Sequence, residues 1–213
     1  SRSNLHIQVL GLILVHESSI YRQNGPYIKI NNKSLIDYVL EAAKNSEFLT
    51  DISVSSNDLV IKQHLKKHFP EVIFTKRKEK FSSFDANTVD ITSDALEKVE
   101  AITNKKYDAI CILSISTPLL KSKHIDHAIN TFQVFQVDSV RSISEEFAPC
   151  FKHDSNGLVG INISEGKAPR LERNSIYKDN GAILLTSRRC IEDKTLTGKK
   201  VSHITMLAEE SIK

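Results

Sequence analysis

Tryptophan is absent from this chain of 213 residues, and there are only 7 glycines, 5 prolines and 1 methionine. With so little glycine there is no Gly-x-Gly-x-x-Gly dinucleotide loop, no Walker phosphate loop and no nucleophile elbow. No Asp-x-Asp occurs, which weighs against a metal-dependent glycosyltransferase. The 3 cysteines, Cys111, Cys150 and Cys190, are odd in number and far apart. They fit free thiols in a reducing compartment better than a disulfide framework or a zinc site, and the expected location is cytoplasmic. No apolar run approaches the roughly 18 residues of a membrane span. Val9 to Val15 is apolar but has no basic leader and no small-residue cleavage site, so it is not read as a signal peptide. The net charge of +3 is small and its signs are interleaved, so no electrostatic footprint for nucleic acid is expected.

What is present is an alternation of strand-like and helix-like segments over one domain, residues 1–213. His6 to His16 is nearly continuous in apolar residues, as for a strand buried on both faces of a parallel sheet. Leu35, Ile36, Val39, Leu40 and Ala43 form one helical stripe. The loop between these segments is longer than the usual 2–6 residues. Further strands are expected at 50–56, 71–75 and 107–113, with helices capped by Asn57, by Asn87 or Thr88, and by Ser122. This order predicts a doubly wound α/β sheet, mainly parallel, with right-handed crossovers. The last third changes character: short strands at 139–143, 148–152 and 158–163, with a turn at Asp154–Gly157, predict an antiparallel excursion over about 139–180 that serves as a dimerisation arm. Strands at 180–186 and 201–206 complete the sheet. His64 with His68, and His124 with His127, lie about one helical turn apart; without a third ligand they read as exposed helix faces rather than zinc sites.

Five landmarks follow one another in a recognisable order. They are Ile13 to Ile20 with Gly25-Pro26 and Ile30 to Ile36; Val54-Ser-Ser-Asn-Asp58; Phe74-Thr-Lys-Arg77 followed by Asp85 to Asp90; Leu113-Ser-Ile-Ser-Thr-Pro-Leu119; and Arg170, Tyr177 and Asn180-Gly-Ala182. In order and spacing they resemble the acylneuraminate cytidylyltransferases, the CMP-sialic acid synthetases. The first motif departs from the family pattern: His16 stands for an Arg, Glu17-Ser18 for a Gly pair and Ile20 for a Lys. Ser114 stands for a Gln and Ile115 for a Pro.

The resemblance implies a three-layer, nucleotidyltransferase-like (Rossmann-like) fold and a homodimer. It implies CTP and an acidic sugar as substrates, Mg²⁺ as cofactor, and pyrophosphate as product. It places Ser19, Arg77, Asn87, Thr88 and Ser114 at the nucleotide, and Arg170, Tyr177 and Asn180 at the sugar; Arg22, though not at the family's Lys position, is added to the nucleotide site as a nearest cation. Lys33 is a further nearby cation, and Glu17 would repel phosphate. No catalytic residue is assigned. The family's metal-binding aspartates would follow Ser211-Ile212, where this sequence reads Lys213. Each assignment has a plainer counterpart: Arg77 as a solvated charge in the run Lys76 to Lys80, and Asn87 or Thr88 as a helix cap. Two functions therefore stand side by side: a diverged cytidylyltransferase, or a non-catalytic member of the fold acting as a binding, regulatory or partner subunit.

Overall fold

The computed structural model describes residues 7–15, 25–81, 86–163 and 176–213. In chain order its elements begin with β1 (Val9–Leu14), β2 (Lys29–Ile30), β3 (Lys33–Ser34), α1 (Leu35–Lys44), β4 (Asp51–Ser56), α2 (Leu59–His68), β5 (Ile73–Lys76) and α3 (Thr88–Thr103). They continue with β6 (Ala109–Leu113), α4 (Ser122–Phe135), β7 (Ser139–Glu146), β8 (Phe151–Asp154), β9 (Gly157–Gly160), β10 (Ile176–Ser187), α5 (Arg188–Glu192) and β11 (Val201–Thr205). Seven strands form one sheet in the order β11-β7-β10-β6-β1-β4-β5. All run parallel except β10, which is antiparallel to both of its neighbours, β6 and β7.

The core explains why β1 is so apolar. Its Val9 and Ile13 pack with α1, α2 and α4 through Ile36, Leu40, Ile61, Leu65, Ile125 and Ile129. Its Leu10 and Leu12 point the other way, into a second cluster with Val89, Leu96 and Val99 of α3 and Ile191 of α5. A strand clad on both faces has no polar side, and burying each Leu or Ile is worth roughly 1.5–3 kcal/mol. This is the three-layer, doubly wound arrangement expected from the alternation of elements.

Helix starts are set by side chains more particular than residue type. α2 is capped by Asp58, which accepts from the Val60 N–H at 2.8 Å, rather than by its neighbour Asn57. α3 is capped by Asn87, which accepts from the Val89 N–H. α4 begins at Ser122, but Lys121 is its cap residue; the Lys121 N–H donates to Nδ1 of His124 at 3.0 Å, so an imidazole makes the bond back to the cap that a Glu or Gln three residues on usually makes.

The expected antiparallel excursion is narrower than 139–180. β7 pairs with both β10 and β11 inside the main sheet, because its inward residues Val140, Ser142 and Ser144 are buried. What stands apart is the β8–β9 hairpin, shifted from the expected strands to 151–154 and 157–160. Its turn is closed by the Asn156 N–H donating to Asp154 Oδ1 at 2.7 Å, and Gly157 takes φ +104°. At the hairpin base Asn162, buried, accepts from the Cys150 N–H and donates to the Ala148 carbonyl.

Candidate functional site

The carboxyl ends of β1, β4, β5, β6, β7 and β11 share one edge of the sheet, and β10 enters from it. Polar side chains gather there among the apolar strands: Ser55, Ser56, Thr75 and Arg77 on one side, Ser142, Ser144 and Asn180 on the other, all buried. Ligands of open α/β sheets bind outside such an edge.

Arg77 directly follows β5. It is only 3% exposed, which overturns the solvated-charge reading. Its Nη2 donates to the Ser55 carbonyl at 3.0 Å, its Nε reaches Ser55 Oγ at 3.5 Å, and its N–H donates to the Ser56 carbonyl. The guanidinium is thus fixed in orientation beneath the edge. Its neighbours in the run stay exposed, though Lys78 is paired. Lys78 and Lys98 both bind Asp94, and Lys98 also donates to the Lys76 carbonyl. Burial alone would push the Asp94 carboxyl up; the two lysines outweigh it and hold the carboxyl below its ordinary value.

Asn87 and Thr88 are exposed at the start of α3, and Asn87 is occupied as the helix cap. Ser114 follows β6 and is half-buried; its N–H donates to the Ala182 carbonyl at 3.1 Å, and its Oγ accepts from the Ser116 N–H. A hydroxyl that accepts still has its own proton to donate. Lys33 is committed to α1, where it pairs with Glu41 and lies over the Tyr38 ring. Ser19, Arg22 and Arg170, with His16 and Glu17, lie outside the described residues.

At the other end, β10 bulges. Its pairing with β7 jumps from Asp179↔Ile143 to Leu184↔Arg141, so Ser142 faces the whole of Asn180 to Ile183. The Ser142 hydroxyl donates to Asn180 Oδ1 at 2.6 Å and accepts from the Ile183 N–H at 2.8 Å. Asn180 Oδ1 also accepts from the Ala182 N–H, and its Nδ2 donates to Ser211 Oγ at 3.0 Å. Asn180 is therefore a buried organiser of the bulge, and exposed Gly181, at φ +70°, is what the bulge presents outward. Tyr177 is exposed and its ring stacks on His203.

β5 and β10 are four strand spacings apart, roughly 19 Å. The sequence-predicted residues thus fall into two groups, Arg77 with Asn87 and Thr88, and Asn180 with Tyr177, with Ser114 between them. Among the described residues no single side chain joins the two groups.

Residues not assigned to the site from sequence also shape the edge. The Tyr27 hydroxyl donates to Asp58 Oδ2 at 2.7 Å, tying the turn Gly25–Tyr27 to the start of α2. Burial first, and the Asp58 carboxylate second, push the Tyr27 phenol well up. His124, read as part of an exposed face, is instead buried against Glu210. Among the described residues no three His, Cys, Asp or Glu side chains converge as a metal cage. All three cysteines are free, and no helix among the described residues is long and apolar enough to cross a membrane. Clefts of about 300 and 430 Å³ lie along α3, away from the bulge, and are lined by charges of both signs, including Lys78, Asp94, Glu97 and Lys194.

A family model described as cytidylyltransferase matches residues 23–189. The post-translational flagellin modification protein B of Campylobacter coli is 32% identical over 133 residues, 62% of this chain and 56% of that protein. The pseudaminic acid cytidylyltransferase of Campylobacter jejuni is 24% identical over 166 residues, 76% of this chain and 71% of that protein. A Helicobacter pylori protein, described as pseudaminic acid cytidylyltransferase and UDP-2,4-diacetamido-2,4,6-trideoxy-beta-L-altropyranose hydrolase, is 22% identical over 190 residues; the chain spans 88% of itself and only 36% of that protein. Among solved structures, a CMP:2-keto-3-deoxy-manno-octonic acid synthetase complexed with CTP superimposes with a TM-score of 0.65 at 13% identity, covering 94% of this chain and 90% of that one. A 4-diphosphocytidyl-2C-methyl-D-erythritol synthase from Anaerococcus prevotii gives a TM-score of 0.69 at 11% identity, covering 98% and 90%. At such identities the structural likeness establishes the nucleotidyltransferase-like fold.

Proposed function

The chain belongs to the cytidylyltransferase family, and from that premise we propose that it joins CTP to an acidic nine-carbon sugar of the acylneuraminate or pseudaminate type, releasing pyrophosphate. The observation that carries this reading is the reach of the family match: residues 23–189 take in Arg77, Ser114 and the Asn180 bulge, the three described landmarks of the edge. Relatives described as pseudaminic acid cytidylyltransferases support the sugar class.

In the reaction the sugar's anomeric hydroxyl attacks the α-phosphorus of CTP. The bond to the β-phosphate oxygen breaks, pyrophosphate leaves, and the hydroxyl proton is released. Negative charge grows on the leaving group, so fixed positive groups and N–H donors aimed at it lower the barrier. Arg77 is assigned this part on the nucleotide side, because its guanidinium is held in place before any ligand arrives. Arg22 and Ser19 are assigned to the phosphates, Asn87 and Thr88 to the ribose, and Ser114 to the junction of the two substrates. Arg170 would pair with the sugar carboxylate in the bidentate manner arginine favours; Tyr177 is assigned to the sugar as well, and Asn180 shapes the bulge. Mg²⁺ would supply charge neutralisation to the triphosphate when bound; the described residues form no cage for it. The active form is assigned as a homodimer, and the free thiols support a cytoplasmic location.

A thermal-shift titration with CTP and Mg²⁺, alongside ATP, GTP and UTP, tests the nucleotide half. A ligand at about 100 times its Kd stabilises the native state by roughly 2.7 kcal/mol. A CTP-selective rise, followed by pyrophosphate release with pseudaminate or acylneuraminate, is expected. No rise with any nucleotide, from folded protein, would favour the non-catalytic binding subunit instead.

A further inference from the structure

After β11 the chain stays on the sheet edge. Met206, buried, donates its N–H to the Ile143 carbonyl at 2.8 Å, and a single turn follows at Glu209–Ser211. The turn closes on itself: Glu210 and Ser211 N–H donate to the Leu207 and Ala208 carbonyls, and Ser211 Oγ donates to the Leu207 carbonyl.

Two of its side chains reach other elements. Ser211 Oγ accepts from Asn180 Nδ2, the bond that completes the buried amide of the β10 bulge. Glu210 is 7% exposed, and its Oε2 lies 3.3 Å from His124 Nε2, 3.5 Å from Lys121 Nζ and 3.6 Å from Lys123 Nζ. His124, itself 6% exposed, accepts the Lys121 N–H on Nδ1. That bond assigns the tautomer: the Nδ1 lone pair is taken, so the ring proton sits on Nε2 and points at the Glu210 carboxylate. One imidazole thus starts α4 and holds the turn. From there a continuous chain of contacts runs through Ser211 to Asn180, from Asn180 to the Ala182 N–H, and from the Ala182 carbonyl to the Ser114 N–H.

We propose that His124 and Glu210 are positioning residues for the sugar end of the site: together they latch the turn 207–211 so that Ser211 holds Asn180, and with it the Gly181 bulge and Ser114, in one arrangement. The assignment rests on the cytidylyltransferase reading above. A buried carboxylate is a costly way to dock a turn that an apolar residue could dock on its own. Its distinctive return is geometric: it fixes the turn at one register.

The latch is acid-sensitive. Burial pushes the His124 imidazole below its ordinary value; Glu210 opposes this and Lys123 and Lys121 add to it. Burial pushes the Glu210 carboxyl up, but His124, the Leu207 N–H, Lys123 and Lys121 together outweigh that and leave it below its ordinary value. The folded state therefore favours neutral His124 and ionised Glu210. Both contributions are present at neutral pH. That of His124 is lost first as pH falls below about 6.5.

The test uses the Glu210→Gln and Ser211→Ala variants of the intact chain, with Glu210→Asp as the conservative rescue. Steady-state kinetics with CTP and sugar are combined with amide hydrogen exchange. For Glu210→Gln and Ser211→Ala, the sugar KM is expected to rise about tenfold while the CTP KM stays within about twofold. Exchange of the Ala182 and Ile183 amides should quicken, and that of the α3 amides should not. Glu210→Asp should recover part of both effects. The wild-type sugar KM should itself rise as pH is lowered from 7.5 to 5.5, and that rise should flatten in Glu210→Gln. Equal rises in both KM values, or unchanged exchange at Ala182 in both variants, would overturn the latch. A wild-type chain that turns over no sugar, with exchange quickened in the variants, would overturn the activity reading while leaving the docking of the turn in place.

Discussion

Arg77 carries the sharpest difference between composition and position. Within Lys76 to Lys80 nothing marks one cation from the next, yet Arg77 is buried under the edge while its neighbours remain at the surface. Burial requires partners for the fork of donors, and the Ser55 carbonyl supplies one of them. Lysine has no such fork. Arg77→Lys is therefore expected to lower kcat by about 10²-fold or more, the scale of losing one preorganised donor, while the unfolding free energy from urea titration falls by only about 1–3 kcal/mol. Kinetics and urea unfolding on one preparation separate the two effects, and a full loss of folding would make Arg77 structural. His124 shows the same lesson from the acid side. Its depressed titration means that its stabilising contribution is fully present above about pH 6.5 and drains away as pH falls through its lowered folded value. Stability measured from pH 7.5 to 5.5 should fall in the wild type and fall less in His124→Gln. Equal slopes would mean another group titrates. Neither burial was legible in sequence, because a charged residue on a helix or after a strand looks the same whether or not a distant turn covers it.

The elements themselves were far more legible than their ends. β1, α1 and β6 are announced by their apolar patterns, since each must match a buried face over its whole length. Boundaries depend instead on which of several adjacent polar groups finds an N–H. Asn57 and Asp58 are equally good caps by type, and the structure selects Asp58, whose carboxylate also accepts the Tyr27 hydroxyl. The start of α2 and the turn Gly25–Tyr27 are therefore coupled through one side chain. Asp58→Ala should cost about 0.5–2 kcal/mol from the cap alone. Tyr27→Phe should cost about 0.5–1.5 kcal/mol. In the double variant the losses should be less than additive, because both remove the same bond. Strict additivity in urea unfolding would show that the two act separately. β7 was expected at 139–143 as part of the antiparallel excursion for a related reason: its buried Ser142 and Ser144 hide a main-sheet strand, although Ser142 is the residue that builds the β10 bulge.

At the scale of the molecule, the sheet and its two helical layers were readable from the alternation of segments, whereas what the chain leaves uncovered was not. Phe151 and Leu158 are exposed on one face of the β8–β9 hairpin, Leu158 by 72%, with Val159 exposed on the other, and Phe147, Ile161 and Ile163 of the flanking residues are exposed too. The hairpin is not a loose loop: Asn162 pins its base to residues 148–150 and the Asp154 turn closes its tip. A rigid ribbon that presents apolar side chains to water is shaped for a partner, and a second copy of this chain offers a self-matching patch by two-fold symmetry. A stable interface of that kind removes on the order of 800 Å² from each protomer. In sedimentation velocity at micromolar concentration the wild type is expected to run as a dimer. Leu158→Glu, which places a charge where the side chain is most exposed and touches no core residue, should shift it to a monomer with unchanged circular dichroism. A wild type that sediments as a monomer at every concentration would remove the homodimer from the proposal. Because the hairpin lies between β7 and β10, the strands that build the proposed sugar end, a monomeric variant should then lose sugar turnover before it loses affinity for CTP.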